Sequence, residues 1–85
     1  MDLKTLKYFV SVYEQRSFSG AAQQSYVAQP SISAAISQLE RELNCSLFIR
    51  HARGVKPTNQ GKTLYHHAIN LLGQAKAIAG LFNQE

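Results

Sequence analysis

From Ser17 to Leu39 the chain has no charged residue, although its net charge is +4. Acids are scarce throughout, five in all, and none lies between Leu43 and Gln84. Nothing in their spacing makes a carboxylate pair or a Ser–His–Asp arrangement, so catalysis is not expected, and no cofactor or metal is either. Cys45 is the only cysteine. An internal disulfide is therefore impossible and a reducing, intracellular setting is expected. With two prolines, five glycines and 45% apolar residues, the composition excludes a disordered chain. No run approaches the ~18 consecutive apolar residues that would span a membrane. The opening "DLKTLKYF" lacks a signal-peptide layout, which points to a soluble, cytoplasmic protein.

What is present is one small domain of 85 residues whose cations are placed unevenly. Arg50, Arg53, Lys56, Lys62 and Lys76 all fall in the acid-free span. Such asymmetry suits a polyanion. Leu3, Leu6, Phe9, Val10 and Tyr13 recur at helical spacing, and Asp2 is placed to cap that helix. Ser17 can cap a short second helix, "FSGAAQQS", whose Ala21 and Ala22 permit close packing. A third helix has Pro30 in its first turn and ends near Asn44. "LFIRHARGVKP" reads as a hairpin about "ARG", and Thr58 can cap a last helix from about 59 to 83, about 37 Å long. Helix, helix, helix, hairpin, helix describes a mainly α, winged helix-turn-helix fold with a long final helix.

On a wheel of 100° per residue, Ile32, Ile36, Leu39 and Leu43 form one stripe of the third helix, its expected core face. The opposite face carries Pro30, Ala34, Ser37, Gln38 and Arg41, flanked by Gln29, Ser31 and Ser33. A helix enters the DNA major groove only if its leading face is slim. There Gln can pair with adenine, Ser can donate or accept, and Ala can touch the thymine methyl. Cations belong outside, on the phosphates. The neutral helix thus reads as the reading head, with Arg50, Arg53, Lys56 and Lys62 as the grip. Small polar residues are also ordinary surface filler, so a helical protein-interaction module with only non-specific DNA affinity stays open. RNA binding lacks the aromatic stacking surface that single strands need.

The run "LKYFVSVYEQRSFSGAAQQSYVAQPSISAAISQLERELNCSLFIRHARGVKPTNQG" resembles the N-terminal domain of LysR-type transcriptional regulators. "SFSGAA", "QPSIS" followed by "LE", and "LF" plus "R" leading to "PTNQG" carry the likeness in the right order. It implies bacterial transcription regulation, a winged helix-turn-helix over 1–58, and a linker helix over 59–85 that pairs two subunits. It also implies double-stranded DNA as partner, bound at an interrupted inverted repeat. The DNA-binding positions it marks are Gln29, Pro30, Ser31, Ser33, Ala34 and Ala35 on the third helix. With them come Arg50 and Arg53 on the wing, Thr58 at the linker cap, and Ser17 and Ser19 at the entry to helix two. Ala34 and Ala35 depart from the Arg or Lys, then Gln, of many members, so specificity must lean on Gln29, Gln38 and the wing. Ala28 replaces a Ser or Thr cap, a loss of about 0.5–2 kcal/mol. Ser25 replaces an apolar Leu. Full members carry a larger C-terminal domain, so a small-molecule effector is expected only for that missing part.

Along the last helix Leu64, Ala68, Leu71, Ala75, Ile78 and Phe82 follow a heptad seam, the expected homodimer contact. Tyr65, Leu72 and Ala79 widen it on one side. Leu64 can instead pack on its own domain. His66 and His67 point about 100° apart and cannot share a metal from one helix face. His51 reads as a solvated side chain within reach of phosphate, and Tyr8, Tyr13 and Tyr26 as core or core-edge residues.

Overall fold

The computed structural model describes residues 1–83. Its elements are α1 (Leu3–Gln15), α2 (Phe18–Ser25), α3 (Gln29–Leu43), β1 (Phe48–His51), β2 (Gly54–Pro57) and α4 (Asn59–Leu81). Three helices start where a side-chain oxygen meets an otherwise unpaired amide. Asp2 accepts from the Thr5 N–H, Ser17 from Gly20 and Thr58 from Gly61. The first of these contacts holds the Asp2 carboxyl below its ordinary pKa. α3 starts at Ala28 with no side-chain cap, as its sequence predicts. Each of α1, α2 and α3 stops on a left-handed residue, Arg16, Tyr26 and Asn44 in turn.

The core is where these helices meet the hairpin. Leu6, Phe9 and Val12 of α1 face Ala21 and Ala22 of α2 and Ile32, Ile36 and Leu39 of α3, with Leu47, Phe48 and Val55 closing it. The two alanines let α2 lie close to its neighbours. β1 and β2 pair antiparallel with Phe48 opposite Pro57 and Arg50 opposite Val55. Alternation along a strand then puts Phe48, Arg50 and Val55 on one face and Ile49 and Lys56 on the other. Glycine is required at the hairpin's return. Gly54 has φ 130°, and a Cβ there would overlap the Arg16 carbonyl oxygen, which accepts the Val55 N–H at 3.1 Å. The wing is thereby tied to the end of α1.

A second tie holds the wing to α3 and α4. The Glu40 carboxylate accepts the Leu47 N–H at 2.7 Å and the Phe48 N–H at 3.4 Å. The Leu47 carbonyl accepts the Thr58 N–H at 3.0 Å, and the Thr58 hydroxyl donates to the Ser46 carbonyl at 2.6 Å. Gly61, buried in the first turn of α4, lies against the Leu47 carbonyl oxygen, where a Cβ would overlap it.

α4 then runs antiparallel to α1. Tyr65 stacks on Tyr13 with centroids 3.9 Å apart and planes 8° from parallel, and its hydroxyl donates to Glu14 at 2.6 Å. That hydrogen bond keeps the Tyr65 hydroxyl protonated above its ordinary range. Further along, Leu72, Ala75 and Ala79 border a cleft with Leu3 and Lys7.

Four expectations change. Leu43 lies on the apolar stripe of α3 yet is 40% exposed, because the chain turns away at Asn44 and leaves it on the rim of an open cleft beside Cys45, Leu47 and Leu64. Tyr26 is 95% exposed rather than at the core edge, since the left-handed turn from α2 into α3 projects it outward. Ala68 is 2% exposed and packs within its own domain, so it is not free for a partner chain. The last helix ends at Leu81, with Phe82 as its cap, rather than at 83.

Two of the three glycines of α4, Gly61 and Gly73, should respond oppositely to alanine. Gly61→Ala must displace backbone and should destabilise by about 1–3 kcal/mol, whereas Gly73, with open space where its Cβ would stand, should gain up to about 1 kcal/mol. Urea unfolding of both variants checks this; equal responses would refute the close approach at Gly61.

Candidate nucleic-acid interface

The N-terminal end of α2, the first residue of α3 and the wing form a groove of about 280 Å³ lined by Ser17, Phe18, Ser19, Gln29, Arg50 and His51, with Ala52, Gly54 and Val55 of the hairpin return. Four residues marked from the sequence, Ser17, Ser19, Gln29 and Arg50, therefore meet in one place although they span more than thirty positions of the chain. Ser17 is committed to capping α2, and its hydroxyl lies 3.1 Å from that of the exposed Ser19. Gln29 is exposed at the first position of α3.

Arg50 owes its position to strand register. It shares a face with Phe48 and Val55, so its side chain turns toward α2, where its guanidinium lies 4.2 Å above the centre of the Phe18 ring. Phe18 is itself set edge-on against Phe48, with centroids 6.3 Å apart. A buried ring thus holds a cation at the mouth of the groove, a contact of about 0.5–1 kcal/mol at an exposed site. Sequence reasoning missed Phe18 in this role; its place between the two serines of "SFSGAA" was the available signal.

The remaining marked residues lie outside the groove. On α3, Pro30, Ser31, Ala34, Ser37 and Gln38 are exposed, whereas Ser33 and Ala35 are half-buried on the flanks of the core stripe. Arg53 is exposed at the wing tip, its N–H donating to His51 Nδ1 at 3.3 Å. Thr58 is half-buried, with its hydroxyl already shared between Ser46 and Gly61. Among the described residues the single ion pair joins the Met1 amino group to Glu42 at 2.9 Å. Arg50, Arg53, Lys56 and Lys62 are thus left without a carboxylate partner among those residues, and no acid lines the groove. A carboxylate-free groove rimmed by cations, with hydroxyl and amide groups beside it, can bind an anion and donate or accept hydrogen bonds at its edge.

The expected seam on α4 divides in two. Leu64 is half-buried against the core and Ala68 fully so, while Ala75 is half-buried. Leu71, Ile78 and Phe82 stand 45%, 60% and 83% exposed. His66 and His67 are exposed, and no group of three metal-ligating side chains gathers among the described residues. No helix of the described residues is long and apolar enough to cross a membrane.

Residues 3–62 match the family described as "Bacterial regulatory helix-turn-helix protein, lysR family". The nitrogen assimilation regulatory protein nac of Escherichia coli (strain K12) is 45% identical over 76 residues, covering 89% of this chain and 25% of the relative. The HTH-type transcriptional regulator BenM of Acinetobacter baylyi is 41% identical over 81 residues, covering 95% and 27%. The chain therefore spans about a quarter of the length of these two relatives, both of them regulators by name. Among solved structures, the crystallised complex of the BenM DNA-binding domain with catB site 1 DNA superposes with a TM-score of 0.92 at 41% identity, covering 95% of this chain and 90% of that one. The CbnR domain in its DNA complex gives 0.90 at 31% identity, covering 94% and 92%. With a winged helix-turn-helix fold and a family match over most of its length, the chain belongs to the lysR family of bacterial regulatory helix-turn-helix proteins.

Proposed function

We propose that this chain is the DNA-binding part of a bacterial transcription regulator, reading double-stranded DNA in a sequence-specific way from a cytoplasmic location. The observation that carries the reading is the meeting of Ser17, Ser19, Gln29 and Arg50 at one carboxylate-free groove. Residues 1–58 form the binding head, and the linker that follows is built on α4, Asn59–Leu81. The slim face of α3 enters the major groove, where Gln29 and Gln38 pair with base edges and Ser31, Ala34 and Ser37 make small hydrogen-bonding or methyl contacts. Arg50, Arg53, Lys56 and Lys62 hold phosphates and supply the salt-dependent part of the affinity. BenM and CbnR domains crystallised with DNA support the reading by likeness. Effector response belongs to the remainder of a regulator about four times this length.

Two copies pair through α4, placing two heads on an interrupted inverted repeat. The exposed Leu71, Ile78 and Phe82, with half-buried Ala75 and Leu64 beside them, supply an apolar stripe that a single copy leaves wet. The same stripe is what a protein-interaction module would use, so salt dependence of duplex binding separates the two readings.

Mixing the chain with fragmented genomic DNA at near-physiological salt, then sequencing what is retained, tests the reading directly. Enrichment of an interrupted inverted repeat supports it, and no retention favours the interaction module. On a selected site Gln29→Ala should cost about 1–3 kcal/mol and relax base preference. Arg53→Ala should weaken all duplexes alike and flatten the slope of log affinity against log salt by about one. If both changes act equally on random and selected DNA, the division into head and grip is wrong. Leu71→Asp with Ile78→Asp should bring the solution mass to that of a monomer in sedimentation equilibrium; a dimer mass would remove the α4 pairing.

A further inference from the structure

His51 is the last residue of β1, opposite Gly54, and it lines the groove beside Ser17, Ser19, Gln29 and Arg50. Its Nδ1 accepts the N–H of Arg53 across the wing tip at 3.3 Å. A nitrogen that accepts carries no proton, so the neutral ring must hold its proton on Nε2. The tip turn thus sets the tautomer, and the far edge of the ring is left as a hydrogen-bond donor. Two arginines, Arg50 and Arg53, flank it, and no acid lines the groove to compete for that donor.

We propose that His51 is a further DNA-contact residue, donating its Nε2–H to a backbone phosphate seated between the wing and the start of α2. The proposal rests on the reading of the chain as a duplex-binding head. The donor works in the neutral form. Unlike the wing arginines it adds direction rather than charge, since an imidazole held at Nδ1 can turn its Nε2–H toward only one place. Ser19 on the opposite wall offers a second donor, its hydroxyl, to the same phosphate. His51 would then fix how far the wing lies from the strand that α2 approaches, while Arg53 supplies attraction at the tip.

Two substitutions separate the ring's two nitrogens. Asparagine places an acceptor near Nδ1 and nothing at Nε2; glutamine reaches the Nε2 position with an N–H donor but leaves the Arg53 N–H unpaired. With the 85-residue chain and a duplex enriched from genomic fragments, His51→Gln should bind within about twofold of the parent and His51→Asn about ten- to a hundredfold more weakly, the range of a hydrogen bond to a charged acceptor. The reverse order would mean that the ring only braces the tip, and parent-like binding by both would mean that it does neither; each overturns the proposal. His51 is exposed, so thermal melts of the free variants should match the parent. In ¹⁵N-resolved ring spectra, added duplex should move the His51 Nε2–H signal while those of His66 and His67 stay in place. An unmoved His51 signal also overturns it. Failure of the parent chain to bind any duplex would remove the DNA reading and this inference together. Salt-dependent parent binding with an unaffected His51→Asn removes this inference alone.

Discussion

The backbone of Leu47, through its N–H and its carbonyl, governs the rest of the molecule. Its N–H is held by Glu40 of α3, its carbonyl accepts from Thr58 ahead of α4, and Gly61 lies against that same oxygen. Buried backbone groups must be paired, and an amide given to a carboxylate is paired more strongly than one given to a neutral acceptor. Three elements therefore take their directions from one place. The next residue, Phe48, runs into the core against Phe9 with centroids 5.3 Å apart and supports Phe18, which in turn carries Arg50. The shape of the groove descends through Phe48, Phe18 and Arg50 from the backbone of a single residue.

This chain keeps charge and shape on separate elements. α3 offers a face of small and amide side chains, so whatever meets it is met by contour and hydrogen bonding rather than by field. Apart from Arg41 in its last turns, α3 carries no cation; Arg50, Arg53, Lys56 and Lys62 sit on the hairpin and at the start of α4, where long side chains can move without obstructing α3. Arg50 is the exception, because its guanidinium rests on a buried ring. Stacking reduces the rotamer freedom it would otherwise surrender on engaging an anion.

Local chemistry was legible in the sequence. The caps at Asp2, Ser17 and Thr58 and the left-handed stop at Asn44 depend on residues three or four positions away, and each stands where the sequence puts it. Periodicity, caps and turn signals were enough for the order of elements, and the family likeness added Ser17 and Ser19 to Gln29 and Arg50 as candidates. What escaped depends on partners distant along the chain. Glu40 holds amides seven and eight residues on, and Tyr65 reaches back to Glu14. Periodicity tells which side of a helix is apolar, but not whether anything lies opposite. That is why Leu43 proved exposed, and why Ala68, read as part of a seam between chains, proved to be core. Tyr26 was misplaced for a related reason: its left-handed backbone, which no local pattern required, decides where its side chain goes.

The antiparallel seating of α4 on α1 makes the long helix a ruler. Because Tyr65 is stacked on Tyr13 and bonded to Glu14, the first half of α4 has no independent orientation and carries the head as a fixed attachment. Anything joined to its free half inherits that orientation. Inserting one residue between the fixed and free halves would advance the attachment by about 1.5 Å and turn it by about 100°. Separation and angle therefore cannot be varied independently; along such a ruler the angle returns only after whole turns of the helix, each of which has lengthened the separation by about 5.4 Å.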